Sequence, residues 1–176
     1  MGGYGSGRWH WHSAKTTVED CRQLDTRHLK REELLDWGLH WRGAWFWENA
    51  RTGETIADIG LEVNTTDRAR PWVRLFYTIK SKGEHLVYKV GLETTPLHYG
   101  GEMWWFTCPA DGCGRRVRIL YQPPGGLYFA CRHCYDLTYR SCQESHVYDG
   151  LFADIGAPMG LSGDQVARML RERYQS

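Results

Sequence analysis

The stretch "MWWFTCPADGCGRRVRILYQPPGGLYFACRHCYDLTYRSCQ", Met103 to Gln143, carries five of the six cysteines. Four residues separate Cys108 from Cys113, two separate Cys131 from Cys134, and seventeen lie between the pairs. The intervening text reads as a hairpin. Val117, Ile119 and Tyr121 alternate with Arg116, Arg118 and Leu120; Pro123-Pro124-Gly125-Gly126 supplies a turn; "LYFAC" returns. A hairpin brings its ends together, so both pairs meet at one place. Four thiolates in a tetrahedron suit zinc, and Gly112 and Gly114 can supply the tight backbone of a metal knuckle. The expectation is one structural zinc held by Cys108, Cys113, Cys131 and Cys134. A redox dithiol at "CRHC" would need a strand-to-helix setting that the flanking text does not offer. Buried, unligated cysteines are the plainer alternative. A four-sulfur shell has no open position and no Glu stands beside it, so catalytic zinc is not expected.

Other residues near the pairs have ordinary readings. His133 reads as a surface residue of the second knuckle. Cys142 and His146 are four apart, a helical spacing that allows a second half-site but equally a helix cysteine. Cys21 reads as a small apolar filler.

The 176-residue chain has a net charge of +1, so a strong non-specific polyanion binder is not expected. Between Cys108 and Cys142 five arginines face two acids, and four thiolates with a divalent ion take back two of the three surplus charges. Placement then matters more than total. Arg116 and Arg118 are expected on one strand face, with Arg115 and Arg132 near the metal. Tyr121 with Tyr128 or Phe129 would interleave with them as a stacking surface for single-stranded nucleic acid. The competing reading is that these aromatics cover the metal and dock the ribbon.

Upstream, the hydrophobic period is two. "WFWENARTGETIADIGLEV" contains a turn at Thr52-Gly53; "WVRLFYTI", "HLVYKVGLET" and "GEMWWFTC" follow, with a turn at Ser81–Glu84 and a loop over Asn64–Pro71. These predict four or five antiparallel strands leading into the first cysteine, with no long helix between them as a parallel α/β enzyme would require. Trp104, Trp105 and Phe106 are consecutive and cannot share one face; one of them packs on another layer or anchors a partner. His98 has no evident nucleophile, acid or metal at a useful spacing, and Glu93 and Glu102 flank it loosely. Phosphate-loop, dinucleotide, nucleophile-elbow and zinc-protease signatures are absent, so no catalytic residue is assigned.

The amino end, "MGGYGSGRWHWHS", places Arg8, Trp9 and Trp11 on an arm able to dock on the body or reach a partner; His10 and His12 are a weak metal pair at best. Thr17–Trp41 is the first helical candidate, with Asp25 as cap and Gly38 as stop. A helix-turn-helix is disfavoured there by Glu32, Glu33 and Asp36. Ser162 and Gln165 suggest a capped helix at the end. There is no apolar h-region in residues 1–30 and no run long enough to span a membrane. The expected setting is a reducing, cytoplasmic one.

Trp104–Tyr139 resembles the zinc-ribbon class, although "CPADGCG" has four residues where the commoner knuckle has two. With "GGYGSGRWHWH", "WWFTCP", "CGRR", "CRHC" and "LTYRSCQ", the chain resembles a family of bacterial and mobile-element zinc-ribbon proteins of no settled activity. The resemblance implies a zinc site and a bacterial or phage setting.

The expected fold is mainly β: a curved or sandwiched antiparallel sheet joined to a four-cysteine zinc ribbon, with short peripheral helices. Residues 1–44 form an arm with short helices, 45–107 the β body, 108–142 the ribbon and 143–176 a loop and helix. The expected function is that of a non-enzymatic accessory or regulatory protein associated with DNA or RNA. Its contacts would run through Arg8, Trp9, Trp11, Arg115, Arg116, Arg118, Tyr128 and Arg132. The alternative is an inhibitor or adaptor that meets a bacterial or phage protein through a zinc-stabilised aromatic surface.

Overall fold

In the computed structural model the described residues are 15–49, 51–79, 83–144, 154–163, 165, 166, 168 and 169. The chain divides into two compact units: Asp20–Asp136, and Met1–Glu19 together with Leu137–Ser176.

The first unit is built on a curved, mainly antiparallel sheet. Its six strands run in spatial order from β2 (His40–Glu48) through β3 (Thr55–Asn64), β4 (Trp72–Ile79), β5 (Glu84–Pro96) and β6 (Glu102–Thr107) to β7 (Arg116–Val117). Sequence alternation decides which side is buried. Val73, Leu75 and Tyr77 of β4 point inward opposite Val90, Tyr88 and Leu86 of β5. Ile59, Leu61 and Val63 of β3 meet Trp45, Gly43 and Trp41 of β2. Leu61, Val63, Val73, Leu75 and Phe106 are fully buried. The long β5 changes partner along its length. Residues 84–91 pair with β4, and residues 92–96 pair with β6. That hand-over leaves the knuckle after Thr107 beside the first half of β5.

A two-stranded sheet closes the open side of the core: β1 (Arg22–Asp25) pairs with β8 (Ile119–Gln122), setting Leu24 opposite Leu120, both fully buried. The helix α1 (Thr26–Arg31) starts where the Asp25 carboxylate accepts from the Arg27 N–H at 2.9 Å, the cap expected from sequence. Its Thr26 hydroxyl donates to the Trp104 carbonyl at 2.8 Å, which fixes the helix to β6.

The helical candidate Thr17–Trp41 is mostly not helix. Arg22–Asp25 is strand, the helix ends at Arg31, and β2 begins at His40. The Leu34 N–H turns back to the Leu29 carbonyl at 2.9 Å, with Glu33 in the left-handed region at φ 59°, so the chain leaves the helix less than two turns after it begins. From Trp41 the inward positions hold tryptophans at 41, 45 and 47 with Gly43 between, and pairing with β3 imposes the strand. Gly38, with φ 80°, serves the approach to β2 rather than the helix end.

In the second unit, Thr17 and Thr138 form a parallel bridge, and the Arg140 N–H, at the start of α2 (Arg140–Glu144), donates to the Glu19 carboxylate at 3.0 Å. Ser162 and Gln165 form the reciprocal cap read from sequence: the Ser162 N–H donates to Gln165 Oε1 at 2.8 Å, and the Gln165 N–H to Ser162 Oγ at 3.4 Å. Arg8, Trp9, Trp11, His10, His12 and His146 lie outside the described residues. No helix among the described residues is long and apolar enough to cross a membrane.

Candidate metal centre

Two knuckles deliver the cysteines. In the first, the Cys108 N–H donates to the Arg115 carbonyl at 2.8 Å and the Cys113 N–H to the Ala110 carbonyl at 3.0 Å. The extra residues of "CPADGCG" are taken up by Gly112 and Gly114, at φ 69° and 54°. In the second, the Cys134 and Tyr135 N–H groups both turn to the Cys131 carbonyl, and Asp136 adopts φ 47°. Between the knuckles the expected hairpin is short. Tyr121 and Ala130 exchange both backbone hydrogen bonds, at 2.8 and 3.0 Å, and Ala130 places Cys131.

The four Sγ atoms lie within 4.8 Å of one another. Cys108–Cys134 and Cys113–Cys131 are each 3.8 Å apart, and Cys131–Cys134 is 3.5 Å. A disulfide needs about 2.05 Å. A tetrahedron with metal–sulfur bonds of about 2.3 Å has edges of about 3.8 Å. The donor set therefore fits one tetrahedral thiophilic ion. The Cys131 N–H donates to Cys108 Sγ at 3.2 Å, a contact that favours a charged sulfur there.

The sulfurs differ in surroundings. The Arg115 backbone N–H pulls the Cys113 thiol down to about 7. Burial pushes the Cys108 thiol up. Loss of hydration at the sulfur, then the neighbouring thiols, push Cys134 up as well. Four such groups do not ionise together without a cation among them.

His133 is exposed and is not part of the cluster, and neither is Cys142; Cys21 is buried. Arg116 and Arg118 do not share a strand face. The chain bends at Arg118, sending 116–117 into the six-stranded sheet and 119–122 into the two-stranded one. Arg118 turns to Asp25, 3.4 Å away, while Arg116 lies over the Trp105 ring and donates to Thr95 Oγ1 at 3.2 Å. Phe129 and Tyr121 are buried and cannot stack on a ligand; Tyr128 is 49% exposed. Arg115 is exposed, Arg132 half-buried. His98 sits in an exposed loop against Tyr99, while Glu93 accepts from Thr107 and Glu102 from Trp37.

Sequence reading missed a cavity of about 400 Å³ beside the cluster, lined by Tyr88, Lys89, Pro109, Tyr128, Cys134 and Tyr135 among others. It forms where β5 loses its second partner and the first knuckle passes by. It also missed a directional chain of hydrogen bonds. The Phe129 N–H donates to the Tyr88 hydroxyl at 2.8 Å, Tyr88 reaches the Tyr77 hydroxyl at 3.1 Å, and Tyr77 donates to the Leu127 carbonyl at 2.6 Å. The alternation in "WVRLFYTI" and "HLVYKV" turned both tyrosines inward, but only their register as cross-strand neighbours shows that they meet.

Fold and site together define a mainly β protein with a zinc-ribbon-like four-cysteine element and an aromatic-rich core. No family model, curated protein or solved structure matches the chain.

Proposed function

We propose that the chain is a non-enzymatic, cytoplasmic accessory or regulatory protein of a bacterium or mobile element, and that it associates with nucleic acid through a ribbon stabilised by one zinc ion. The observation that supports the reading is a four-sulfur cluster whose closed shell suits architecture rather than chemistry, in a ribbon that leaves Tyr128, Arg115 and Arg116 exposed. Arg115, Arg116 and Arg132 would meet phosphates and Tyr128 a base. Arg118, already held by Asp25, would contribute less. Arg8, Trp9 and Trp11 would add a second contact from the amino-terminal arm.

One observation favours a protein partner instead. The cavity beside Cys134 is lined mainly by aromatic and apolar residues, with Lys89 and Asp111 among them, and is of a size that accepts a bulky side chain.

Fluorescence anisotropy of zinc-loaded protein with single- and double-stranded DNA and RNA, at low and moderate salt, tests the choice. Binding that weakens with salt supports the nucleic-acid reading. Absence of binding to all four at micromolar concentration sinks it in favour of the protein partner.

A further inference from the structure

The side of the β2–β7 sheet that faces away from the core carries the residues of opposite parity to the buried set, and its composition is unusual for a solvated face. Register aligns Arg42, Glu62, Arg74 and Lys89 in one row across β2, β3, β4 and β5. Adjoining rows contain Phe76 and Trp72 on β4, and Trp105 follows on β6. Three cations lie over these three rings: the Arg42 guanidinium 5.0 Å from the Phe76 centroid, the Lys89 ammonium 4.1 Å from Trp72, and the Arg116 guanidinium 5.5 Å from Trp105. Glu62 is spoken for by His40 and Arg74; the face also carries exposed Asp58, opposite Phe46, and exposed Glu93, opposite Trp105, which accepts from Thr107. Among the described residues none of Arg42, Lys89 and Arg116 is paired with a carboxylate. The face is open: Arg42, Ala44, Lys89 and Gly91 are exposed, and Phe46 and Val87 are more than half exposed.

We infer that this outer sheet face is a platform for single-stranded nucleic acid; the inference rests on the nucleic-acid reading and moves its main surface from the ribbon to the sheet. The chemistry asks for a ligand with anionic groups and flat apolar rings in alternation. The cations would exchange a ring for a phosphate, and the uncovered ring faces would take bases. The spacing agrees. Phe76 and Trp72 are four residues apart on one strand, about 13 Å at 3.3 Å per residue. Trp72 and Trp105 are two strands and two residues apart, about 12 Å. The three rings therefore span the length of a few nucleotides, within the range bound by a single small β domain. A duplex hides its base faces and would use only the cations.

The test is anisotropy of the full-length, zinc-loaded protein with a labelled oligothymidylate of about 16 nucleotides and with a duplex of equal length, over a salt series. Three variants are compared with wild type: Arg42→Ala/Lys89→Ala on the sheet, Arg115→Ala/Arg132→Ala on the ribbon, and Trp72→Leu. Melting curves establish that each is folded. The sheet pair should lower the salt slope for the single strand by about 1.4, two phosphates at about 0.7 each, and by more than the ribbon pair does. Trp72→Leu should weaken single-strand binding about tenfold with the slope kept, and leave duplex binding little changed. Should Trp72→Leu prove unstable, the two arginine and lysine arms still decide. A slope change in the sheet pair equal to or smaller than that in the ribbon pair overturns the inference and leaves the broader reading standing. A wild-type protein that binds neither probe overturns both and points to a protein partner.

Discussion

Replacing Tyr88 by Phe removes one oxygen and keeps the ring. In the wild type that oxygen accepts the Phe129 N–H and passes a hydrogen bond to Tyr77, whose hydroxyl ends on the Leu127 carbonyl. The circuit starts and finishes on residues 127–129, the segment that leads to Cys131. Phe129 is fully buried, its ring stacked 5.8 Å from Trp47, and the Tyr88 oxygen is the acceptor of its N–H. A buried donor left without a partner costs about 1–3 kcal/mol. For a chain of this size each kcal/mol lowers the melting temperature by about 2–4 °C. The variant should therefore melt several degrees lower, measured on zinc-loaded protein by calorimetry. Tyr77→Phe should remove the donor to Leu127, and the double variant should cost less than the two single changes added, because they break one chain. The alkaline limb carries the same signature. Burial raises Tyr77 to about 12 and raises Tyr88 too. With folded values above the unfolded value of about 10, their contribution is whole below pH 10 and lost as pH rises through about 12 and beyond. Wild-type-like melting of Tyr88→Phe at neutral pH would refute the circuit as a support of the ribbon.

Elemental analysis should give one zinc per chain; Cys131→Ser should lose it and unfold the knuckles, because metal binding and folding are linked, whereas exposed His133→Ala should keep full zinc content. Gly60→Ala should destabilise by about 1–3 kcal/mol in urea titrations, since its new methyl would sit 1.8 Å from a Phe76 ring atom, and Phe76→Ala in the same chain should recover part of the loss. His40, then Arg74, hold the Glu62 carboxyl below its usual range. Its contribution is present above about pH 4.3 and lost as pH falls through the lower folded value, so acid melting curves of Glu62→Gln should be flatter than those of the wild type.

The parts of this molecule that were legible in the sequence are those governed by short-range rules. Alternation in "WVRLFYTI" and "HLVYKVGLET" marked β4 and β5 because burial on one side forces a period of two. Asp25 was readable as a cap because its carboxylate bonds a backbone group two residues away. The four cysteines were readable because a hairpin between two pairs leaves few other places for them to go. What failed depended on distant partners. His40 and Trp41 looked like the tail of a helical region, with strand expected only from Trp45, until β3 was there to pair with them, and Arg118 looked like the companion of Arg116 until β1 drew 119–122 into a second sheet.

The same dependence separates arginines that the sequence places side by side. In "CGRRVR" the arginines are adjacent in sequence and invite a basic face, yet the bend at Arg118 and its pairing with Asp25 divide them. Arg42, Lys89 and Arg116 are scattered over three strands. Only the register that sets Arg42 opposite Glu62, Glu62 opposite Arg74 and Arg74 opposite Lys89 gathers them with Phe76, Trp72 and Trp105. A near-neutral chain can thus hold a mixed-charge, aromatic face on which three cations lie over rings, because short-range fields follow arrangement more than total charge. The metal cluster contributes to that arrangement in an indirect way. With four thiolates around a divalent ion it is itself anionic, so an anionic strand would be drawn to the cations of the open sheet and turned away from the sulfurs.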